Sequence, residues 1–257
     1  MERIRTVTSC LAGALLGVAV ARALDFAYQV NRALRYAERA KRYERPLARA
    51  SRRLLIVGDS TAVGLGSDCS EDTVAGRLAR EFPDASIENL AELGARAASV
   101  SDQIASARGS FDAILIAVGG NDVIYGTRPD RLKSALEAAI LRARELTSLV
   151  IVVSSANVGG APLFGWPLNL LLARRSARVR EVFVGTCRQL RVRLVNFTVE
   201  AKRNPFLQRR HQFFAEDGLH PTATAYEYCY LVLKRRTRLA IVLAAKLDVA
   251  HPHQVVG

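Results

Sequence analysis

The chain has 257 residues, half of them hydrophobic, which is enough for one domain with a large core and excludes a disordered or fibrous protein. Its 37 Lys plus Arg against 24 Asp plus Glu give a formal charge of +13, which favours anionic surfaces or ligands. The basic residues cluster over 32–53, 174–193, 202–210 and 234–238 without a reading helix, a stacking sheet or a finger beside them, so no nucleic-acid partner is expected.

At the N-terminus, Arg3 and Arg5 precede an apolar run over 7–21 that Arg22 and Asp25 interrupt. A membrane span needs about 20 apolar residues, so the run is short for a span but suits the core of a signal peptide, and Ala21-Arg22-Ala23 offers small residues in A-x-A spacing. Against export, Arg22, Arg32, Arg35, Arg39 and Lys41 form a basic excess of the kind that stays on the cytoplasmic side. A third reading is an uncleaved interfacial helix reaching about residue 50, with Phe26, Val30, Leu34 and Ala37 at helical spacing. Attachment to an anionic membrane surface is the expectation, and export after cleavage the alternative. The division is an extension over 1–51, one catalytic domain over 52–247 and a tail over 248–257, acting as a monomer.

The domain opens with a compact β-forming run over 54–57, closed by Gly58-Asp59-Ser60. Helices are predicted near 73–80 and 100–107, strands near 87–90 and 113–118, then a helix over 131–146 behind Pro129 and a strand over 150–153. A helix over 174–187, a short strand over 192–195 and a closing helix from Ala225 to about residue 247 complete the chain. This alternation predicts five mainly parallel strands with helices on both faces. Ligands bind outside the carboxyl ends of such strands, so the loops after Val57, Leu90, Val118 and Val153 are where a site is expected.

Ser60 sits in Gly58-Asp59-Ser60-Thr61-Ala62-Val63-Gly64, where glycines permit a tight turn. Alone it reads more readily as a helix cap or turn residue; Ala62 breaks the G-x-S-x-G elbow, and no Gly-Lys-Ser/Thr ending marks a phosphate loop. After the most apolar strand, Gly119-Gly120-Asn121-Asp122 offers either an Asx turn or a side-chain amide able to meet a developing oxyanion. Gly94 can present a backbone N–H on the same rim. Of four histidines, His251 and His253 lie in the tail, leaving His211 and His220 as bases. His220 has Asp217 three residues upstream in Asp217-Gly218-Leu219-His220-Pro221, close enough in a turn to orient its ring. The four cysteines, Cys10, Cys69, Cys187 and Cys229, form no C-x-x-C pair and read as buried free thiols.

In order and spacing these segments resemble the SGNH, or GDSL-type, hydrolase family, whose four blocks contribute Ser, Gly, Asn and His. The resemblance runs from about residue 54 to the closing helix; Thr61-Ala62 departs from the commoner Leu-Ser. It implies a flavodoxin-like three-layer α/β/α sandwich and ester hydrolysis without metal or cofactor. Ser60 would be the nucleophile and His220 the base oriented by Asp217, with an oxyanion hole from the Ser60 and Gly94 N–H groups and the Asn121 side chain. The expected substrate is an acyl ester, as for an esterase or lysophospholipase-like enzyme. A carbohydrate O-deacetylase and a catalytically silent membrane-bound scaffold are the alternatives. Phe164 and Trp166, on the Gly/Pro-rich loop over 161–168, are expected to hold an acyl chain, the bland alternative being that both pack into the core.

Overall fold

The computed structural model describes residues 40–197 and 204–237, together with residues 17, 20, 21, 24, 25, 27, 28, 31–35, 37, 38 and 239. Five strands, β1 (Arg52–Gly58), β2 (Ala85–Asn89), β3 (Ala113–Val118), β4 (Val150–Ser154) and β5 (Arg193–Asn196), form one parallel sheet in the order β2-β1-β3-β4-β5. All six residues of the central β3 are buried, as a parallel strand covered on both faces requires.

The two-residue period of the strands sorts the core into two layers. Leu55, Val57, Ile114 and Ile116 pack with Val100, Ile104, Leu132, Leu136, Ile140 and Phe183 on one face. Leu54, Ile56, Leu115 and Ile151 face the other way, toward Leu78 and Leu233. The helices among the described residues of the domain are α1 (Ser60–Val63), α2 (Val74–Glu81), α3 (Ala97–Ser106), α4 (Gly120–Tyr125), α5 (Pro129–Leu146), α6 (Leu168–Gln189), α7 (Pro205–Gln208), α8 (Arg210–Phe213) and α9 (Ala223–Thr237), of which α2, α3, α5, α6 and α9 supply these helical side chains. In α5, Pro129 starts the helix and Leu132, Leu136 and Ile140 form its buried stripe, each stabilising the fold by about 2 kcal/mol through burial. The three-layer α/β/α architecture is the one expected.

Three points of the sequence reading need comment. The helix expected from Arg174 begins at Leu168, immediately after Pro167. The closing helix is described to Thr237, and its expected continuation to residue 247 lies almost wholly outside the described residues. Residues 40–51, assigned to the extension, pack against the domain: Arg45 exchanges backbone hydrogen bonds with Ile87, 2.9 Å each way. Its guanidinium donates to the carbonyls of Ala79, Phe82 and Ala85 at 2.5–3.1 Å. An edge strand carries unpaired backbone groups, and this arm covers part of that of β2.

Further upstream, the described residues between 17 and 38 are helical, and Arg32 forms an ion pair with Glu216. Most of the apolar run over 7–21 lies outside the described residues. Among the described residues no helix is long and apolar enough to cross a membrane. The cysteines divide: Cys187 is buried, Cys229 half-buried and Cys69 exposed, which corrects the expectation of a buried thiol at Cys69. It falls in a solvent-facing turn, where its thiol donates to Glu71.

Candidate active site

The order β2-β1-β3-β4-β5 reverses direction between β1 and β3, and a cleft forms outside the carboxyl ends at such a switch point. Ser60 follows β1 and Asn121 follows β3, so the topology brings the two together. At the end of β1 the chain turns against its neighbour: Gly58 has φ +140°, and a Cβ there would lie 1.8 Å from the Ala117 carbonyl oxygen. Only glycine fits. The buried Gln103 of α3 clamps this peptide from the other side, accepting from the Gly58 N–H at 2.7 Å and donating to its carbonyl at 3.0 Å.

The next residue, Asp59, caps α1. Its Oδ1 accepts from the Thr61 N–H at 2.9 Å and from the Thr61 hydroxyl at 2.7 Å. Burial raises the Asp59 carboxyl above its ordinary value, against the opposing pull of the Thr61 bonds, the His220 ring and the Gly120 N–H. Ser60 thus begins a one-turn helix whose first N–H groups have no acceptor within the helix. Buried Asn89, at the end of β2, steadies that turn by donating to the Ala62 carbonyl at 3.0 Å and accepting from the Ala91 N–H at 3.1 Å.

After β3, Gly119 has φ +123°, and α4 begins at once. Asn121 Nδ2 donates to the Ala95 carbonyl at 3.0 Å, which fixes the amide plane and ties α4 to the loop carrying Gly94. Asp122 accepts from the Ala97 N–H at 3.0 Å and holds the same loop from beneath. Gly94 itself is exposed, in a turn with φ +74°.

The third component is the loop before α9. Phe214 bridges Pro221, and the Ala215 N–H donates to the His220 carbonyl at 2.8 Å, closing a tight hairpin-like turn. Inside it, Asp217 is fully buried; its Oδ1 accepts from the Leu219 and His220 N–H groups at 2.9 and 3.0 Å. Its Oδ2 lies 2.5 Å from His220 Nδ1, and His220 Nε2 lies 3.1 Å from Ser60 Oγ. Burial pushes the Asp217 carboxyl up, but the His220 hydrogen bond and charge and the two backbone donors outweigh it and hold the group below its ordinary value. The aspartate therefore stays ionised against the ring. Tyr226, buried on the inward face of α9, donates to the Leu65 carbonyl at 2.8 Å and fastens the helix that follows His220 to the loop after Ser60.

Ser60, Asn121 and His220 line one cavity of about 150 Å³. Phe164 and Trp166 do not line it. Phe164 is packed in the core layer that holds Phe183, as the bland alternative had it, while Trp166 is 80 % exposed. The loop that bears them approaches the site through backbone, the Leu163 N–H donating to the Gly218 carbonyl at 3.0 Å. Gly94 is also outside the cavity lining and stays connected to it through Ala95 and Asn121. Sequence reasoning missed Gln103 and Asn89. The available signal was a polar residue within an apolar helix face, between Val100 and Ile104, and an amide closing a β-forming run.

Residues 56–228 match the model of the GDSL-like lipase/acylhydrolase family. Comparison with curated proteins gives no match. Among solved structures, an alpha/beta hydrolase enzyme from the metagenome of Lake Arreo, Spain, is 16% identical, covering 74% of this chain and 96% of that one, with a TM-score of 0.59. A member of the lipolytic protein G-D-S-L family from Veillonella parvula is 15% identical, covering 71% and 96%, with a TM-score of 0.56. An acetylxylan esterase, Axe2, from Geobacillus stearothermophilus is 17% identical, covering 73% and 94%, with a TM-score of 0.52. At these identities the likeness is one of fold.

Proposed function

Since the chain belongs to the GDSL-like lipase/acylhydrolase family and is a carboxylic ester hydrolase, we propose that Ser60 is its nucleophile, in a cycle that passes through an acyl-enzyme. The observation that carries this reading is the hydrogen-bonded chain from Asp217 through His220 to Ser60. With Nδ1–H directed at Asp217, Nε2 is left to accept the Ser60 hydroxyl proton. Oγ attacks the ester carbonyl carbon, and the oxyanion is met by donors on the strand-end rim: the Asn121 amide and the backbone N–H groups of Ser60 and Gly94. The Nε2 proton then passes to the departing alcohol, water attacks the acyl-Ser60 ester with His220 as base, and the acid leaves.

A silent scaffold would have no use for an ionised, fully buried Asp217 aimed at a histidine beside a serine. The apolar lining favours an acyl chain over the polar groove that an O-deacetylase needs for its sugar. Ser60→Ala is expected to abolish hydrolysis of p-nitrophenyl butyrate and leave the melting temperature unchanged, because it removes one hydroxyl and no core volume. Undiminished turnover by the folded variant would overturn the assignment.

Membrane attachment is part of the same proposal. Its support is the formal charge of +13 and the exposure of Val20, Leu24 and Tyr28, one helical turn apart on the described N-terminal residues. Co-sedimentation of the full chain with anionic but not zwitterionic vesicles is the expected result, and equal sedimentation with neither would refute it.

A further inference from the structure

The cavity that opens on Ser60 does not stop at the catalytic rim. Ser60 and His220 line its mouth, and its walls continue to Ile56 and Leu115 on the sheet and to Cys229 and Leu233 on α9. The register gives its direction. Gly58 is paired with Ala117 at the strand ends, while Ile56 is paired with Leu115 two residues deeper, about 7 Å further into the sheet layer. On the opposite wall, Tyr226, Cys229 and Leu233 share one face of α9, and the seven helical steps from the first to the last span about 10 Å. One arm of the space therefore runs inward from the nucleophile between the sheet and the last helix, while Ile124, Val158 and Leu219 line the part on the other side of the rim.

The walls carry no ionised group below the rim. Leu115, Val153, Phe197 and Leu233 are hydrocarbon, and the Cys229 thiol is pushed up to about 12 by burial, so it stays neutral. An apolar space of this kind does not hold water well. A void inside a core also weakens the fold, so continuity with a nucleophile gives it a use that a packing defect lacks.

Resting on the hydrolase reading above, we infer that this space is an acyl-chain channel, with Leu233 as its floor and Cys229 on its wall, selecting medium-chain acyl esters. The acyl group enters tail first until its carbonyl carbon meets Ser60 Oγ, and the alcohol part remains outside at the rim. The channel's length of about 10 Å along α9 suits an extended octanoyl tail. It takes over the role expected for Phe164 and Trp166, which lie outside it.

The test is kcat/KM of the full-length protein on p-nitrophenyl acetate, butyrate, octanoate, dodecanoate and palmitate. The wild type is expected to prefer octanoate over acetate by at least tenfold. Cys229→Leu, which narrows the channel, is expected to lower the octanoate-to-acetate ratio at least tenfold, and Leu233→Ala, which deepens it, to move the optimum toward dodecanoate. A wild type indifferent to chain length, or an unshifted optimum in Leu233→Ala together with parallel loss on all esters in Cys229→Leu, would overturn the channel and leave the hydrolase standing. Hydrolysis of no ester by the wild type would overturn the hydrolase reading, and the channel with it.

Discussion

Asp217→Asn isolates what the buried carboxylate does for the histidine. In the native site Oδ1 takes the Leu219 and His220 N–H groups and Oδ2 takes the His220 ring, at 2.5 Å. Asparagine has the same shape, so its oxygen keeps the two backbone bonds. Its NH2 group, however, now points at Nδ1, which must accept instead of donate. The ring proton is driven to Nε2, the atom 3.1 Å from Ser60 Oγ, and a protonated Nε2 cannot remove the hydroxyl proton. The expected loss in kcat is about 10³–10⁴-fold, or about 4–5.5 kcal/mol in the barrier. Stability should change little, because two bonds remain and the third reverses: about 1 kcal/mol, or about 2–4 °C in Tm. The pH dependence adds a second readout. A carboxyl held below its ordinary value in the fold stabilises the native state fully above its unfolded pKa, and that stability is lost as pH falls through the folded value. The asparagine variant should lack this acid-limb contribution. Steady-state turnover of a p-nitrophenyl ester at neutral pH, with thermal melts from neutral to acid pH, measures both. A kcat within tenfold of wild type would refute the tautomer argument.

Asn121→Ala should lower kcat by about 10²-fold or more, with little change in KM, if its amide meets the oxyanion; a change in KM alone would place it in ground-state binding. Gln103→Leu keeps side-chain volume but leaves the buried Gly58 N–H without its 2.7 Å acceptor, so a loss of about 1–3 kcal/mol and a lower Tm are expected in a melt. A melting temperature equal to wild type would show that Gly58 needs no clamp.

The elements that sequence alone made legible are those whose signal is local. The apolar runs of β1, β3 and β4 and the stripe of α5 announce themselves through composition and period. Ser60, Asn121, Asp217 and His220 were legible because each lies in a short polar or glycine-rich break beside such a run. What stayed hidden depends on partners far along the chain. The one-turn helix at Ser60 is too short to have a period and is stabilised by the Asp59 cap and Asn89. Gln103 matters only because α3 crosses the end of β1. Phe164 and Trp166 were expected to share a task, yet one faces the core and the other solvent, a division set by the packing of the loop and not by its composition. The channel beneath Ser60 is least legible of all, since it is the space left between β1, β3 and α9.

The hydrogen bond between Ser60 and His220 closes a loop of 160 residues, and its chemistry inherits that span. During synthesis the serine leaves the ribosome long before its base exists, and domains assemble from the N-terminus onward. On the proposed mechanism, until α9 docks against the sheet Ser60 is an ordinary alcohol with no proton acceptor, inert toward any ester it meets. Hydrolytic competence is therefore the last property the chain acquires as it matures, and the first it loses when α9 detaches. Turnover thus reports on completion of the fold, and on this mechanism a half-made molecule carries no uncontrolled ester-hydrolysing activity.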